Sequence, residues 1–336
     1  MLSILLVRFS SIGDILLTTP LVRALRRRHP EARLVFVTKR GMAPLVADNP
    51  HLSEVVTLAP DEPVRDLAQR LRALAPTHGL DLHSSLRTRA LRWLVHCHWR
   101  GYSKRKIART FLIATKLDVY GRGLPVPERY FEAARDLDVQ PDSDGPEFFL
   151  ADGARERVAA WLAGRGLDAA PLAALAPGAA HATKRWPPAH WLALAERLRG
   201  AGLVPVIVGG PDDRGVAQQL AAGGHGVSAA GELSLQETGA LLERARCTVT
   251  GDTGVMHMAT GVHTPVVALF GPTVRQFGFF PFQARSVVLE RPLDCRPCSA
   301  MGSRRCPLGH HRCLDDIAPG SGVVLRFLPG SVRLCG

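Results

Sequence analysis

Gly251-Asp252-Thr253-Gly254-Val255-Met256-His257, followed by Thr264-Pro265-Val266-Val267-Ala268-Leu269-Phe270-Gly271-Pro272-Thr273, is the stretch whose reading decides the fold. An apolar run from Cys247 ends in a turn of small residues. A short helix follows, and a second apolar strand ends in Gly-Pro-Thr. This is how an α/β protein brings bare backbone N–H groups and a helix N-terminus up to a phosphate. A second turn, Arg8-Phe9-Ser10-Ser11-Ile12-Gly13-Asp14, closes the first apolar strand and offers a carboxylate. One half of the chain reads as a nucleotide holder and the other as the source of a base.

Working outward, Ser3 to Phe9 reads as a strand buried on both faces. Ile15 to Arg28 is apolar at helical spacing, with Pro20 either kinking the helix or opening its regular part behind Thr19 as N-cap. Short strands are expected at 34–38, 55–58 and 79–82, with helices at 64–74 and 85–96. The polar, breaker-rich run Asp136 to Pro146 reads as a linker, which places a first domain at 1–146 and a second at 147–336. Strands and helices then alternate again: strands at 172–176, 203–208, 247–250 and 266–270, helices at 189–199 and 235–244. Such alternation predicts two doubly wound, Rossmann-like α/β domains facing each other across a cleft, with ligands at the carboxyl ends of the strands.

The chain has 336 residues, 46% of them hydrophobic, so sizeable cores are available and two domains fit the length. No apolar run approaches the roughly 20 residues that cross a bilayer, and the N-terminus lacks a basic region or cleavage site, so a cytoplasmic protein is expected. The net charge of +12 is carried largely by arginine. Basic residues cluster at 23–28, 87–92 and 100–109, all in the first half, which favours an anionic partner docking there. Aromatic residues make up only 6%, few for stacking bases, which argues against a nucleic-acid-binding protein.

Alone, Asp252 is an ordinary helix N-cap. Gly209-Gly210 and Pro177-Gly178 also follow strands in the same half, and three small-residue turns on one edge point to a phosphate site. No G-x-G-x-x-G follows the first strand and no G-x-x-x-x-G-K-[ST] occurs, which disfavours an NAD-type site and excludes a P-loop. Lys184 and Arg185 precede a helix start near Pro188. Cations are disfavoured there unless an anion is also present, so a bound phosphate is expected beside Lys184 or Arg185. Asp14, at the end of the first strand, reads as a helix-dipole carboxylate or as a general base; Ser10 and Ser11 read as caps or acceptor ligands. The triplets Asp136-Leu137-Asp138 and Asp142-Ser143-Asp144 lie in the linker and read as solvated, so the inferred catalysis needs no metal.

Cys97, Cys247 and Cys335 stand alone and read as structural. Cys295, Cys298, Cys306 and Cys313 fall together in a loop spanning 295–313, with His310 and His311 among them. Their spacing suits a tetrahedral zinc knuckle or an iron site of rubredoxin type. A disulfide pair is the alternative, against which stands the reducing compartment. Four thiolates leave no open position, so such a metal would be structural. The tail after Gly320 carries no motif and could pack back across the domain interface.

The segments Val7 to Pro20, Lys184-Arg185-Trp186 with His190-Trp191, Gly251 to His257, Val267 to Thr273 and Cys306-Pro307-Leu308-Gly309-His310-His311-Arg312-Cys313 together resemble the lipopolysaccharide heptosyltransferases, the ADP-heptose-dependent group of glycosyltransferase family nine. The last run is most like the second heptosyltransferase branch. The resemblance implies a GT-B fold, with the acceptor on the N-terminal domain and the nucleotide sugar on the C-terminal one. It implies Asp14 as the base and Ser10, Ser11 and Gly13 as acceptor ligands. It implies Lys184 on the diphosphate, Thr183 on a phosphate, and Asp252, Thr253 and Gly254 on the donor with His257 close by. Asp212 is the nearest acidic residue for the ribose, and Leu233 would meet the adenine through its backbone. The implied reaction is an inverting transfer to an anionic lipopolysaccharide inner-core acceptor, made in peripheral contact with the inner membrane. A family-nine enzyme using another sugar, a basic metal-knuckle protein binding nucleic acid and a nucleotide-binding scaffold without catalysis are the rival readings.

Overall fold

The computed structural model describes residues 2–121 and 123–320; Cys335 and the tail after Gly320 lie outside the described residues. Two compact units result: Met1–Lys106 with Leu124–Phe149, and Ile107–Gly123 with Leu150–Gly336. Sequence places the boundary between 146 and 147; the units divide between 149 and 150, and 107–123 pack with the second unit.

The first unit runs β1 (Ser3–Val7), α1 (Ile12–Leu16), α2 (Thr19–Arg28), β2 (Arg33–Lys39), β3 (Glu54–Leu58), α3 (Val64–Ala73), β4 (His78–Asp81), α4 (Leu86–Leu94) and β5 (His98–Gly101), then α5 (Lys106–Thr115), which continues into the second unit, and α6 (Val126–Tyr130). Its sheet is parallel, in the order β3-β2-β1-β4-β5. The central strand β1 pairs on both edges, Ile4 opposite Leu34 on one side and His78 on the other, and every residue in it is buried. A strand covered by helices on both faces must be apolar throughout, which is why Ser3-Ile-Leu-Leu-Val7 shows no alternation.

The expected helix 15–28 is two helices. Pro20 has no N–H to give the Leu16 carbonyl, so a continuous helix would leave that oxygen unpaired. The Thr19 hydroxyl takes it instead, at 2.7 Å, and Thr18 bonds Ile15 O at 2.6 Å. The N-cap of α2 is therefore Thr18, with Thr19 inside the helix.

The stretch 136–146 is a strap pinned to the first unit. Asp142 grips the buried Arg23 guanidinium through both oxygens at 2.7 and 2.8 Å and also meets Arg27. Asp138 pairs with Arg28, and Asp136 takes His98 and Arg100. The acidic triplets are thus counter-charges for arginines; Asp142 is largely buried, while Asp138 and Asp144 stay exposed as the solvated reading has them. The pairing removes the 23–28 cluster as a free basic surface.

The second unit carries α7 (Asp152–Ala163), β6 (Leu172–Ala176), α8 (Pro188–Gly200), β7 (Val204–Ile207), α9 (Arg214–Ala222), β8 (Val227–Ser228), α10 (Leu235–Arg244), β9 (Cys247–Gly251), α11 (Gly254–Gly261), β10 (Val266–Phe270), β11 (Ser286–Glu290) and α12 (Arg312–Asp315). Its six-stranded parallel sheet has the order β11-β10-β9-β6-β7-β8. Strands β6, β9 and β10 are buried along their length. Both units are parallel-sheet, Rossmann-like α/β folds. Chain order reverses direction at β1/β4 in one and at β6/β9 in the other, the switch points where such sheets leave a crevice for ligands. Among the described residues no helix is long and apolar enough to cross a membrane.

Candidate active site

At the switch point of the first unit, β1 ends and the chain turns through Ser10 and Ser11 into α1. Ser11 is the N-cap, and its backbone N–H and hydroxyl both reach the Asp14 carboxylate, at 3.2 and 2.8 Å. The other carboxylate oxygen meets Arg8 Nη2 at 2.6 Å. Arg8 is 5% exposed and is anchored by Ser10 O at 2.7 Å and by the Leu82 carbonyl. Gly13 is buried inside α1. Burial would raise the Asp14 carboxyl, but the Arg8 charge and the Ser11 bonds outweigh it, and the group stays below the ordinary carboxylate value.

Four further side chains complete this end of the unit, and sequence singled out only Lys104, as part of a basic cluster. Tyr130 is buried, donates to Asp14 O at 3.4 Å and stacks edge-on against Tyr102. His83 lies edge-on to Phe9 at 5.8 Å, and its ring Nδ1 has no hydrogen-bond partner among the described residues. Burial first, then Arg8 and Lys104, push His83 down to about 4, so it is neutral near pH 7. Lys104 is lowered too, by burial and by Arg8. Only tertiary structure brings these residues to Asp14, because they come from three other segments of the chain.

At the switch point of the second unit, the Lys184 ammonium lies 2.7 Å from Asp252 Oδ2 and 3.3 Å from Asp252 O. Thr273 donates to the same carboxylate oxygen at 2.8 Å. Thr253 is the N-cap of α11, its hydroxyl 3.1 Å from that of Thr250, and the helix opens at Gly254. Gly251 lies close to this loop: a Cβ would sit 3.1 Å from the Lys184 carbonyl, a tight contact. The charge conflict at the start of α8 is thus met within the protein, with Asp252 as the counter-anion of Lys184 and Arg185 bonded to Ala179 O. His257 is buried on α11, and Leu233 is half-buried just before Ser234, the N-cap of α10.

Thr183 is 3% exposed, and its hydroxyl is committed to Ser303, accepting from its N–H at 2.8 Å and donating to its carbonyl at 3.1 Å. It ties the Lys184 loop to the cysteine-rich loop. His311 braces the same junction, with Nε2 3.1 Å from Thr183 O and Nδ1 3.0 Å from Asp315. Trp186 packs against Trp191 and donates to Ile317 O, so it is a core residue.

A pocket of about 600 Å³ opens beside this loop, lined by Gly178, Arg185, Asp212, Asp213 and His311 among others. Asp212 is exposed. Asp213 turns inward, accepts the Gly210 N–H at 2.9 Å and fills the space left by two absent side chains: a Cβ on Gly178 or Gly209 would strike its carboxylate. Sequence singled out those glycines as phosphate turns and passed over Asp213.

Cys295, Cys298, Cys306 and Cys313 are free thiols, as are Cys97 and Cys247. Burial, then the other thiols of the cluster, raise Cys298. Cys313 is pushed up to about 11 by burial and by Cys298, Cys306 and Cys295. Among the described residues, no group of three or more His, Cys, Asp or Glu side chains is drawn together to hold a metal ion.

Residues 64–308 match the profile of glycosyltransferase family 9 (heptosyltransferase). The chain is 27% identical to lipopolysaccharide heptosyltransferase 1 of Pseudomonas aeruginosa over 94% of its length and 91% of that protein. It is 25% identical to lipooligosaccharide heptosyltransferase 2 of Haemophilus influenzae, over 95% and 96%. The structure of the ADP-heptose lipopolysaccharide heptosyltransferase II of Escherichia coli superposes with a TM-score of 0.74 at 23% identity, over 97% of both chains.

Proposed function

Since the chain belongs to glycosyltransferase family 9, the heptosyltransferases, we propose that it moves a heptose from ADP-heptose to the inner core of lipopolysaccharide, with inversion at the anomeric carbon. The observation that carries this reading is the Lys184–Asp252 pair at the mouth of α11. A fixed ammonium is held against the residue before the N-cap of α11, whose first N–H groups have no side-chain cap, an arrangement suited to a diphosphate.

In this reading the second unit holds the donor. Lys184 and the backbone at Thr253 and Gly254 take the diphosphate, with Asp252 positioning the ammonium and His257 alongside. Asp212, and beside it Asp213, face the ribose, and Leu233 meets the adenine. Thr183 acts by holding the loop, since its hydroxyl is already engaged. The first unit holds the acceptor through Ser10, Ser11 and Gly13. The Asp14 carboxylate accepts the proton of the acceptor hydroxyl as that oxygen bonds to the anomeric carbon. The bond from that carbon to the ADP oxygen breaks, and Lys184 with the α11 N-terminus stabilises the charge gathering on the diphosphate. No metal enters these steps.

A structural zinc or iron ion held by Cys295, Cys298, Cys306 and Cys313 belongs to the same proposal. Its support is the spacing of four free thiols in one loop, against which stands the lack of a gathered ligand group among the described residues; its role would be to brace the loop joined to Thr183. Metal analysis of the purified protein and of Cys306→Ser tests it. The enzyme would work at the cytoplasmic face of the inner membrane, in peripheral contact with it.

The deciding experiment is ADP release from ADP-heptose, with and without a Kdo-bearing lipid A acceptor, run beside Asp14→Ala. Acceptor-dependent release that falls about 10²–10⁴-fold in the variant, with ADP affinity unchanged, is expected. Saturable ADP binding without release would move the reading to another sugar or acceptor. Absence of ADP binding would overturn it.

A further inference from the structure

The three basic clusters of the first half are not equivalent. Arg23, Arg27 and Arg28 are paired with Asp142 and Asp138, Arg100 with Asp136, and Arg105 with Glu132. Arg87, Arg89 and Arg92 on α4 are exposed, and their guanidinium groups have no ion-pair or hydrogen-bond partner among the described residues. The helix contains no acidic residue.

The same helix has two apolar stripes. Thr88 and Leu91, with Val95 just beyond, are buried against the first unit's core. On the opposite side, Leu86, Ala90 and Trp93 recur at i, i+4 and i+7, with Leu86 80% and Trp93 83% exposed. One stripe accounts for the helix's place in the fold. The second leaves a large aromatic and a leucine in water, with Arg87 and Arg89 on its flanks.

We propose that this outer face of α4 is a docking surface for an anionic phospholipid bilayer. Leu86 and Trp93 would enter the boundary between headgroups and acyl chains, and the three arginines would meet lipid phosphates. A tryptophan beside unpaired cations on a helix lying in the interface plane is the combination that such a surface selects. The uncompensated positive charge argues for a negatively charged lipid surface over a second copy of this chain, which would bring like charges together. The proposal gives the membrane contact put forward above a location, and to that extent rests on that reading.

The test is sedimentation with vesicles of 70% phosphatidylethanolamine and 30% phosphatidylglycerol, against phosphatidylcholine vesicles, at low and high salt. It needs neither nucleotide sugar nor acceptor, so its failure leaves the transferase reading standing, and loss of transfer leaves lipid binding standing. Wild-type protein should bind the anionic vesicles in a salt-sensitive manner. Replacing Arg87, Arg89 and Arg92 together by Gln should weaken binding roughly 100-fold at low salt, about fivefold for each charge removed. Leu86→Ser with Trp93→Ser should weaken it at least about tenfold. Both variants alter exposed side chains and should keep the wild-type melting temperature and ADP affinity. Trp93→Phe should still bind but lose the vesicle-induced blue shift of tryptophan emission. Wild-type binding by the Gln and Ser variants, or no preference for anionic vesicles, overturns the proposal. So does an oligomer that the Ser variant dissociates without any vesicle binding, which would make the face a contact between copies.

Discussion

Arg8 Nη2 and Asp14 Oδ1 lie 2.6 Å apart at the end of β1, and this ion pair fixes how basic Asp14 is. The carboxylate is held below its ordinary value although burial pushes the other way, so it stays ionised at any physiological pH. Arg8→Met should release it. The acid limb of the pH dependence of kcat/KM should then move to higher pH, because the unpaired carboxyl is protonated more easily. The stability linkage has the same sign. A depressed folded value contributes stability above the unfolded carboxyl range, and that contribution is lost as pH falls through the folded value. Leaving Asp14 without its partner should cost about 3 kcal/mol. A pH–rate profile with urea melts checks both, and an unmoved acid limb would mean that Arg8 does not tune Asp14.

Lys184 is predicted to act through its charge. Lys184→Ala should weaken ADP binding roughly 10- to 100-fold, the range for a hydrogen bond to a charged group. It also strands Asp252, whose side chain is only 10% exposed, so the melting temperature should fall. Adding Asp252→Asn should recover part of that stability and none of the affinity, since the neutral amide keeps a partner in Thr273. Calorimetric titration with ADP, alongside melting curves, separates the two effects. Unchanged ADP affinity in Lys184→Ala would remove the residue from the donor site.

Gly178 offers a steric test of Asp213. A Cβ at Gly178 would overlap Asp213 Oδ1, so Gly178→Ala must displace that carboxylate. If Asp213 faces the ribose, Gly178→Ala and Asp213→Ala should each weaken ADP binding about tenfold, and the double variant no further. Additive losses would place the glycine's role elsewhere, in direct approach of its backbone to the ligand.

What could be read from sequence follows the range of the interactions. Strands β1, β6, β9 and β10 were legible because burial on both faces forces an unbroken apolar run. Strand β5, His-Trp-Arg-Gly, was not: it lies at a sheet edge, partly exposed, and carries no such run. Asp14 and Asp252 were legible because each follows a strand and opens a helix, a local pattern. The partners that set their chemistry were harder to find. Arg8 and Lys184 were visible as residues, but their pairing with these carboxylates depends on side-chain direction. Tyr130 and Lys104 are distant in sequence. Asp142 misled for the same reason, since a polar run looks like a linker until the buried arginine it neutralises is found over a hundred residues away.

His83 supplies a pH signature distinct from that of the carboxylates. Its imidazole is pushed down to about 4 by burial and then by Arg8 and Lys104, while in the unfolded chain it titrates near 6.5. Between those values the unfolded state binds a proton that the folded state refuses. Stability therefore rises with pH across this window and is lost as pH falls from about 6.5 towards 4. His83→Gln removes the titrating group and keeps a polar side chain near the backbone that Asp81 holds through the N–H groups of His83 and Ser84. The variant should show a flatter decline in urea midpoint between pH 7 and pH 5 than the wild type. Asp14 does not interfere, because its lowered value places its own titration below this range. Parallel declines in the two proteins would mean that His83 is as easily protonated in the folded chain as in the unfolded one, and that water reaches its ring.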